Sequence, residues 1–465
     1  MSKNVFVFGI FDLVHQGHYR LFNFSRSLGD TLTVGLLNNP NESHSRVTQD
    51  ERIKYILETG LVDHVLVVKN KLNDFIKDKK PTIIVKGIEF DQGISENEVK
   101  AVESYGGRVV YWSDSSIGNY EINEEKNSKV ADYCKRNKIS SKSINNLIKK
   151  IRRLKGVVIG DAILDEYVNC EIVGISREDP TIVVTPSRTE RFIGGAGIIA
   201  SHAAQNIKQC GLFTKIGRDE GRAFVQEKLL EYGVENFYFF DEDEYKTTIK
   251  RRYITDEKTQ LRVNNFDNAV INNRHVNTLM EKLENYHGDI DFLIFSDFSL
   301  GTISQNLIKR VVTFCKKNKI FMAADSQVSS KIGDVSKFFG VNYICPTEVE
   351  ARISLHDNIN NLAVISRSLT NNIKADHCVI TLGKEGIFIY SRPTNGNKKT
   401  LDNLPALSNK PIDISGAGDI FLLYSSCALA AGANIWEASL LGSLASKYQV
   451  EQVGNVPVKL DQIRL

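Results

Sequence analysis

Cysteine is scarce and unpaired in this 465-residue chain: there are seven, an odd number, and no two form a C-x-x-C pair. That pattern argues against a disulfide framework and a cysteine-built zinc site, and it makes a reducing cytoplasm the expected setting. No apolar run reaches the roughly 18 residues that a membrane-spanning helix requires. The N-terminus enters a strand pattern at once, which leaves no room for a signal peptide. An excess of one charge is also missing, because 59 basic and 56 acidic residues are interspersed and leave a net +3. Neither nucleic acid nor a membrane surface is an expected partner. Clustered bases such as "KKIRRLK" (Lys149–Lys155) read as one solvated helix face. No repeat of fixed period is visible.

What is present is ordinary globular material, 42% apolar and 25% charged. Its length exceeds what one core usually organises, so two domains are expected. Five short apolar runs open the chain: Val5–Phe8, Thr31–Leu37, His64–Val68, Thr82–Gly87 and Arg108–Trp112. Stretches with helical spacing, such as "DERIKYILETG", lie between them. The alternation predicts a parallel sheet covered by helices on both faces over residues 1–123. Residues 124–154 are rich in charge, Asn and Ser and read as a helical connector. A second alternating unit, 155–465, begins with the strand signal "GVVIGDAILDEY" (Gly156–Tyr167). Within it Lys246–Phe266 reads as two strands joined near Asp256–Lys258, which with Pro180–Val184 would make a small projecting sheet.

The first strand runs into "GIFDLVHQGH", with Gly9, Phe11 and Asp12 ahead of His15 and His18. A helix N-terminus offers free N–H groups and a positive dipole end to phosphates. Two histidines three apart can share a face and donate hydrogen bonds to a pentavalent phosphorus, where positioning and charge stabilisation carry most of the catalysis. The competing reading is that they cap or pack a helix start. The stretch resembles the nucleotidyltransferase superfamily marked by H-x-G-H, which implies a Rossmann-like fold. "SRVTQDERIKYI" resembles the superfamily's triphosphate-holding segment, which makes Arg46 and Arg52 candidates. "IIVKGIEF" followed by "VESYGGRVVYW" resembles the adenylyltransferase part of the bifunctional heptose enzyme and implies that Lys86 and Gly87 lie near the nucleotide. "SDSSIGNYE" (Ser113–Glu121) departs from the Ser/Thr-rich motif that usually opens the family's last helix.

The second constellation is "DISGAGDIF", Asp413–Phe421. Small residues at Gly416, Ala417 and Gly418 let N–H groups crowd an anion at a helix start. Asp419, one step inside, is placed to take a proton from a sugar hydroxyl attacking a γ-phosphate. A plain glycine-rich helix start is the bland alternative. The stretch resembles the signature of the PfkB, or ribokinase-like, sugar kinases, which implies an α/β domain with a small β lid. "FIGGAGIIA" implies a sugar-facing pair, Gly194 and Gly195; "GDAILDEY" implies Asp161 and Asp165 as grips on sugar hydroxyls. "TLGKEG" implies Thr381, Gly383 and Gly386 near the adenine, and "PTEVE" implies Glu350 as a ligand of magnesium through water. Three positions depart from the resembled pattern: Ile198 stands for a sugar-contacting Asn, Thr347 for the Asn of N-x-x-E, and Leu300 for a lysine.

Together the resemblances imply a bifunctional enzyme of nucleotide-sugar synthesis with ATP and Mg2+, and a monovalent cation as a further cofactor. A sugar, with heptose 7-phosphate the favoured substrate, would be phosphorylated at the anomeric oxygen. A sugar 1-phosphate would then be coupled to a nucleotide, with ATP favoured, and pyrophosphate released. In the resembled enzyme the kinase comes first in the chain; here the order is reversed. Partners are sugar phosphates and nucleoside triphosphates, and the lid implies a homodimer. The alternatives are a sugar or polyol phosphate enzyme using CTP, or one domain serving only as a ligand sensor.

Overall fold

The structure, a computed structural model, describes residues 3–11, 16–37, 48–68, 72–87, 101–112, 130–176, 178–179, 181–256, 258–267, 269–286, 290–327, 333–393 and 400–463. The chain forms two compact units, one of Met1–Ile122 with Ile359–Asn361 and a larger one of Asn123–Asn358 with Leu362–Leu465.

In the first unit, β1 (Asn4–Gly9), β2 (Thr31–Leu37), β3 (His64–Val68), β4 (Ile83–Gly87) and β5 (Arg108–Trp112) pair in parallel in the order β3-β2-β1-β4-β5. Each expected run becomes a strand within a residue at either end. Strands covered on both faces need apolar side chains at nearly every position. Val5, Val7, Leu32, Val34 and Val85 therefore pack with Phe22 of helix Gln16–Ser27 and Ile56 of helix Gln49–Glu58. Phe6 and Ile84 face the other way, onto Ile76 of helix Leu72–Lys79. A capping box, Thr48 with Glu51, starts the second of these helices.

The second unit is built on a nine-stranded sheet. Its parallel part runs β10 (Asn236–Phe240), β9 (Gln209–Lys215), β6 (Lys155–Gly160), β13 (Phe292–Asp297), β14 (Phe321–Ser326), β15 (Tyr343–Ile344), β16 (His377–Thr381). Antiparallel β17 (Ile387–Ser391) and β18 (Leu401–Leu404) finish one edge. A separate four-stranded lid has the order β12 (Lys258–Asn265), β11 (Thr248–Thr255), β7 (Ala162–Ile175), β8 (Ile182–Gly195).

Two expectations change. "GVVIGDAILDEY" is two strands, because the chain leaves the large sheet at Asp161 and enters the lid. The Asp161 carboxylate makes that corner by accepting from the N–H groups of Phe298 (2.9 Å), Leu300 (3.2 Å) and Thr302 (3.1 Å). The stretch expected as a connector is built into the second unit from Tyr133 onward. Tyr133 is buried and its hydroxyl donates to the Trp436 carbonyl at 2.8 Å. Helix Ser141–Ile151 buries Ile144, Leu147, Ile148 and Ile151 in the same core and leaves Lys149 and Lys150 outside.

All seven cysteines are free thiols and all but Cys134 are buried. Among the described residues no helix is long and apolar enough to cross a membrane. Because Ile151 is fully buried in the second core, Ile151→Ala should destabilise that unit by about 2–5 kcal/mol. Urea unfolding reads this as a lower midpoint, and an unchanged midpoint would mean that the helix is a detachable connector.

Candidate active sites

Parallel sheets bind ligands beyond the carboxyl ends of their strands, where strand order reverses. In the first unit that point lies between β1 and β4, and Gly9 ends the former while Lys86 and Gly87 end the latter. Phe11 follows with φ 50° and is buried. Its ring meets the His18 imidazole edge-on, with centroids 4.9 Å apart, and lies 5.3 Å from the Phe22 ring. His18 thus sits in the first turn of helix Gln16–Ser27, braced on an aromatic pair at the exit of β1. Arg52 is fully buried, and its Nη1 donates to the carbonyls of Ile10 (2.9 Å) and Leu37 (3.4 Å). It therefore ties together the exits of β1 and β2. Asp12, His15, Arg46 and the irregular stretch at 113–121 lie outside the described residues.

In the second unit, the site is assembled from the exits of β6, β13, β14 and β16 together with one helix start. Helix Ala417–Ala430 is N-capped by Gly416 with φ 74°, a conformation that costs other residues strain. A Cβ there would also collide with Asn455 Oδ1. Ala417, Gly418 and Asp419 form the first turn, and Asp419 is only 6% exposed. Burial raises its pKa to about 7; Lys250 pulls it down, Asp165 and Glu350 push it up, and a Gln327 hydrogen bond lowers it. That bond runs from Gln327 Nε2 to Asp419 Oδ1 at 3.1 Å.

Asp165 points into the same cleft from lid strand β7. Asn455 Nδ2 donates to its Oδ2 at 3.4 Å, and Arg252 Nη2 lies 3.4 Å from its Oδ1. A Cβ on Gly194 would strike the same Oδ2, so the carboxylate depends on a glycine opposite it. Burial raises the Asp165 pKa, against the pull of Arg252 and Lys250. Gly195 caps helix Ala196–Ala204. Asp161, expected with Asp165 as a grip on sugar hydroxyls, accepts from the backbone N–H groups of Phe298, Leu300 and Thr302 and so also shapes the corner.

Thr381 ends β16 and bridges to Thr347, while Gly383 and Gly386 flank the turn into β17. Thr347 and Glu350 form a capping box at the start of helix Glu348–Leu355, with the Thr347 N–H donating to Glu350 Oε2 at 2.7 Å. Thr347 thus fills the place expected for Asn by capping the helix that carries Glu350. Asp325, at the exit of β14, is buried and carries a pKa well above the usual range, first through burial and then through Glu350 and Asp419. Ile198 and Leu300 are both fully buried in apolar clusters. Among the described residues no three His, Cys, Asp or Glu side chains converge with metal-ligating geometry. Buried carboxylates that repel one another nevertheless suit a hydrated divalent cation that arrives with phosphate oxygens.

Family comparison decides what this second unit is. Residues 154–460 match the model described as pfkB family carbohydrate kinase. The chain belongs to the pfkB carbohydrate kinase family. Residues 6–147 match a second model, cytidylyltransferase-like. Among curated relatives, the Bifunctional protein HldE of Syntrophotalea carbinolica is 27% identical over 69% of this chain and 64% of its own length. That of Helicobacter hepaticus is 28% identical over 65% of this chain and 61% of its own. The match thus spans under two thirds of either relative. Arabidopsis thaliana ribokinase, solved with ribose and ATP, shares the fold with a TM-score of 0.52 at 16% identity, covering 66% of this chain and 96% of that one. Escherichia coli phosphofructokinase-2, solved with potassium, gives 0.53 at 14%, covering 67% and 97%.

Six residues of the pfkB cleft were not singled out from sequence: Tyr167, Lys250, Arg252, Asp325, Gln327 and Asn455. For Lys250 and Arg252 a signal existed, since two cations alternate along a strand and so share one face. Lys250 lies with its Nζ 4.5 Å over the Phe298 ring; burial lowers its pKa while Asp165 and Asp419 raise it. If Asp419 is the base, kcat/KM for the acceptor should fall as pH drops below about 7. Lys250→Met removes a charge that favours the carboxylate, so it should shift that acid limb to higher pH. A limb with its midpoint near 4, or one that Lys250→Met leaves in place, would count against this electrostatic arrangement.

Proposed function

We propose that the chain is a bifunctional enzyme of nucleotide-sugar synthesis, with sugar phosphorylation in the second unit and nucleotidyl transfer in the first. The observation that carries the proposal is Asp419, a buried carboxyl poised near 7 one step inside a glycine-framed helix start. A base works best with a pKa near the working pH. Asp419 takes the proton from an acceptor hydroxyl as that oxygen attacks the γ-phosphorus of ATP and ADP leaves. The helix start at Gly416–Gly418 faces the charge that develops on the transferred group, with the Ala417 N–H instead held by the Ile414 carbonyl. Asp165 and Gly194 hold acceptor hydroxyls, and Thr381, Gly383 and Gly386 line the adenine side. Glu350 and Asp325 would hold Mg2+ through water, and the ion would neutralise phosphate charge.

In the first unit a sugar 1-phosphate oxygen attacks the α-phosphorus of a nucleoside triphosphate, and pyrophosphate leaves. His15 and His18 donate hydrogen bonds to the pentavalent phosphorus. Arg46, Lys86 and Gly87 meet the nucleotide, and Arg52 holds the strand exits that frame it. The favoured acceptor for the kinase is heptose 7-phosphate at its anomeric oxygen, on the strength of the heptose-enzyme motifs and of relatives named as bifunctional proteins. In such a pathway a phosphatase acts between the two steps. The match to a cytidylyltransferase-like model supports a second reading, in which CTP is the donor and the substrate is another sugar or polyol phosphate.

Pyrophosphate release with each of four nucleoside triphosphates against a panel of sugar 1-phosphates separates these readings. ATP with a heptose 1-phosphate supports the first, CTP alone supports the second, and nucleotide binding without turnover supports a sensor. His18→Ala should abolish pyrophosphate release and leave ADP release intact, and Asp419→Ala should do the reverse. Loss of both activities in either folded variant would overturn the two-site assignment.

A further inference from the structure

Two parts of the kinase cleft come from distant stretches of chain. One is the lid, which carries Asp165 on β7; the other is the turn 413–416 that leads into helix Ala417–Ala430. Tyr167 joins them. It stands two residues beyond Asp165 on β7 and therefore on the same face of the strand. Its ring is fixed from two sides, by the Phe192 ring edge-on at 5.1 Å and by the Arg252 guanidinium at 4.8 Å. From this seat the hydroxyl lies 2.8 Å from Asp413 Oδ2 and 3.0 Å from Ser415 Oγ. A phenol has one proton to give, and a carboxylate is the stronger acceptor, so it donates to Asp413. Burial pushes the phenol pKa up, which keeps it a donor at working pH.

Asp413 organises the turn. Its Oδ1 accepts from the Ser415 N–H at 2.9 Å, and its Oδ2 accepts from the Gly454 N–H at 3.0 Å as well as from Tyr167. Burial pushes the Asp413 carboxyl up, but these donors outweigh burial and hold it below the usual carboxylate range. A second link runs alongside the first. Asn455 Nδ2 donates to Asp165 Oδ2 at 3.4 Å, while Asn455 Oδ1 occupies the space a Cβ on Gly416 would need. Gln449 Nε2, on helix Ile435–Val450, donates to the carbonyls of Ser415 (3.3 Å) and Gly454 (2.9 Å). Lid, turn 413–416 and turn 454–455 are thus tied into one closed ring. A bond of 2.8 Å is lost within about 1 Å of displacement, so the turn is sensitive to where the lid strand stands.

We propose that Tyr167 is a positioning residue that makes the helix start at Gly416–Gly418 respond to the acceptor. This rests on the kinase reading of the same cleft. A ligand held at Asp165 steadies β7, β7 steadies the Tyr167 hydroxyl on Asp413, and Asp413 steadies the turn from which the helix starts. Groups that face developing charge work best when already in place. Phosphoryl transfer is thereby favoured when an acceptor is bound. The coupling is reciprocal, so occupancy of the helix start also tightens the lid on the acceptor.

The test uses Tyr167→Phe in the full chain, which removes one hydroxyl and keeps the ring that Phe192 and Arg252 pack against. ADP release from Mg-ATP with heptose 7-phosphate should show kcat lowered about tenfold or more. KM for the sugar phosphate should stay within about twofold, because the groups that hold the acceptor are untouched. Amide hydrogen exchange of residues 413–420 should be faster in Tyr167→Phe without any ligand, and heptose 7-phosphate should slow it only in the wild type. Unchanged exchange of this segment in Tyr167→Phe would overturn the coupling. A raised KM with kcat unchanged would make Tyr167 an acceptor contact and overturn it as well. Exchange that depends on Tyr167 and on the sugar phosphate, without ADP release, would keep the coupling and remove the kinase reading. ADP release indifferent to Tyr167→Phe would do the opposite.

Discussion

The architecture of the kinase unit depends on how Asp161 is hydrogen-bonded. Its carboxylate accepts N–H groups from Phe298, Leu300 and Thr302, its own N–H donates to the Ser296 carbonyl, and its carbonyl accepts from Ala196. One residue thus pins three things: the exit of β6, the loop after β13, and the start of the helix that follows the glycine pair. The lid springs from this corner, so the placement of Asp165 four residues later is a consequence of it. So is the placement of Phe298, whose ring lies under Lys250. A buried carboxylate surrounded by backbone donors is costly to rearrange, which makes this corner a rigid origin for a projecting sheet.

Both candidate sites solve one problem with the same geometry and opposite chemistry. Each gathers its groups where parallel strands end and a helix begins, because free N–H groups and strand exits converge there. In the first unit the candidate group is an imidazole leaning on Phe11, suited to donating a hydrogen bond. In the second it is a carboxyl suited to accepting a proton. Burial raises the pKa of that carboxyl, and Lys250 lowers it. The lid strand that carries Lys250 thus acts on the electrostatics of Asp419.

Much of this was legible in the sequence, for identifiable reasons. Strands covered on both faces leave continuous apolar runs, so the first sheet could be read almost to the residue. Glycine-framed helix starts are visible because no other residue tolerates φ 74° beside Asn455. What escaped depended on distant partners. Asp161 and Asp165 look alike in "GDAILDEY", and only the loop at 298–302 distinguishes the corner residue from the one in the cleft. The polar composition of 124–154 pointed to a helical connector and concealed its seat in the second core, because four buried residues among eleven suffice for it. Gln327 and Asn455 lie 92 and 290 residues from the carboxylates they contact, and no local pattern announces such pairs.

The cysteines have a practical consequence. Burial pushes the thiols of Cys210, Cys315, Cys345, Cys378 and Cys427 up, so few thiolates form at neutral pH and oxidants or alkylating reagents find little to attack. Cys134, half-buried, is the thiol that solvent reaches most readily in the native fold. The chain thus holds one half-buried thiol and six buried ones. It also carries its own labelling scheme, in which one site marks the native protein and the others become reactive as it unfolds.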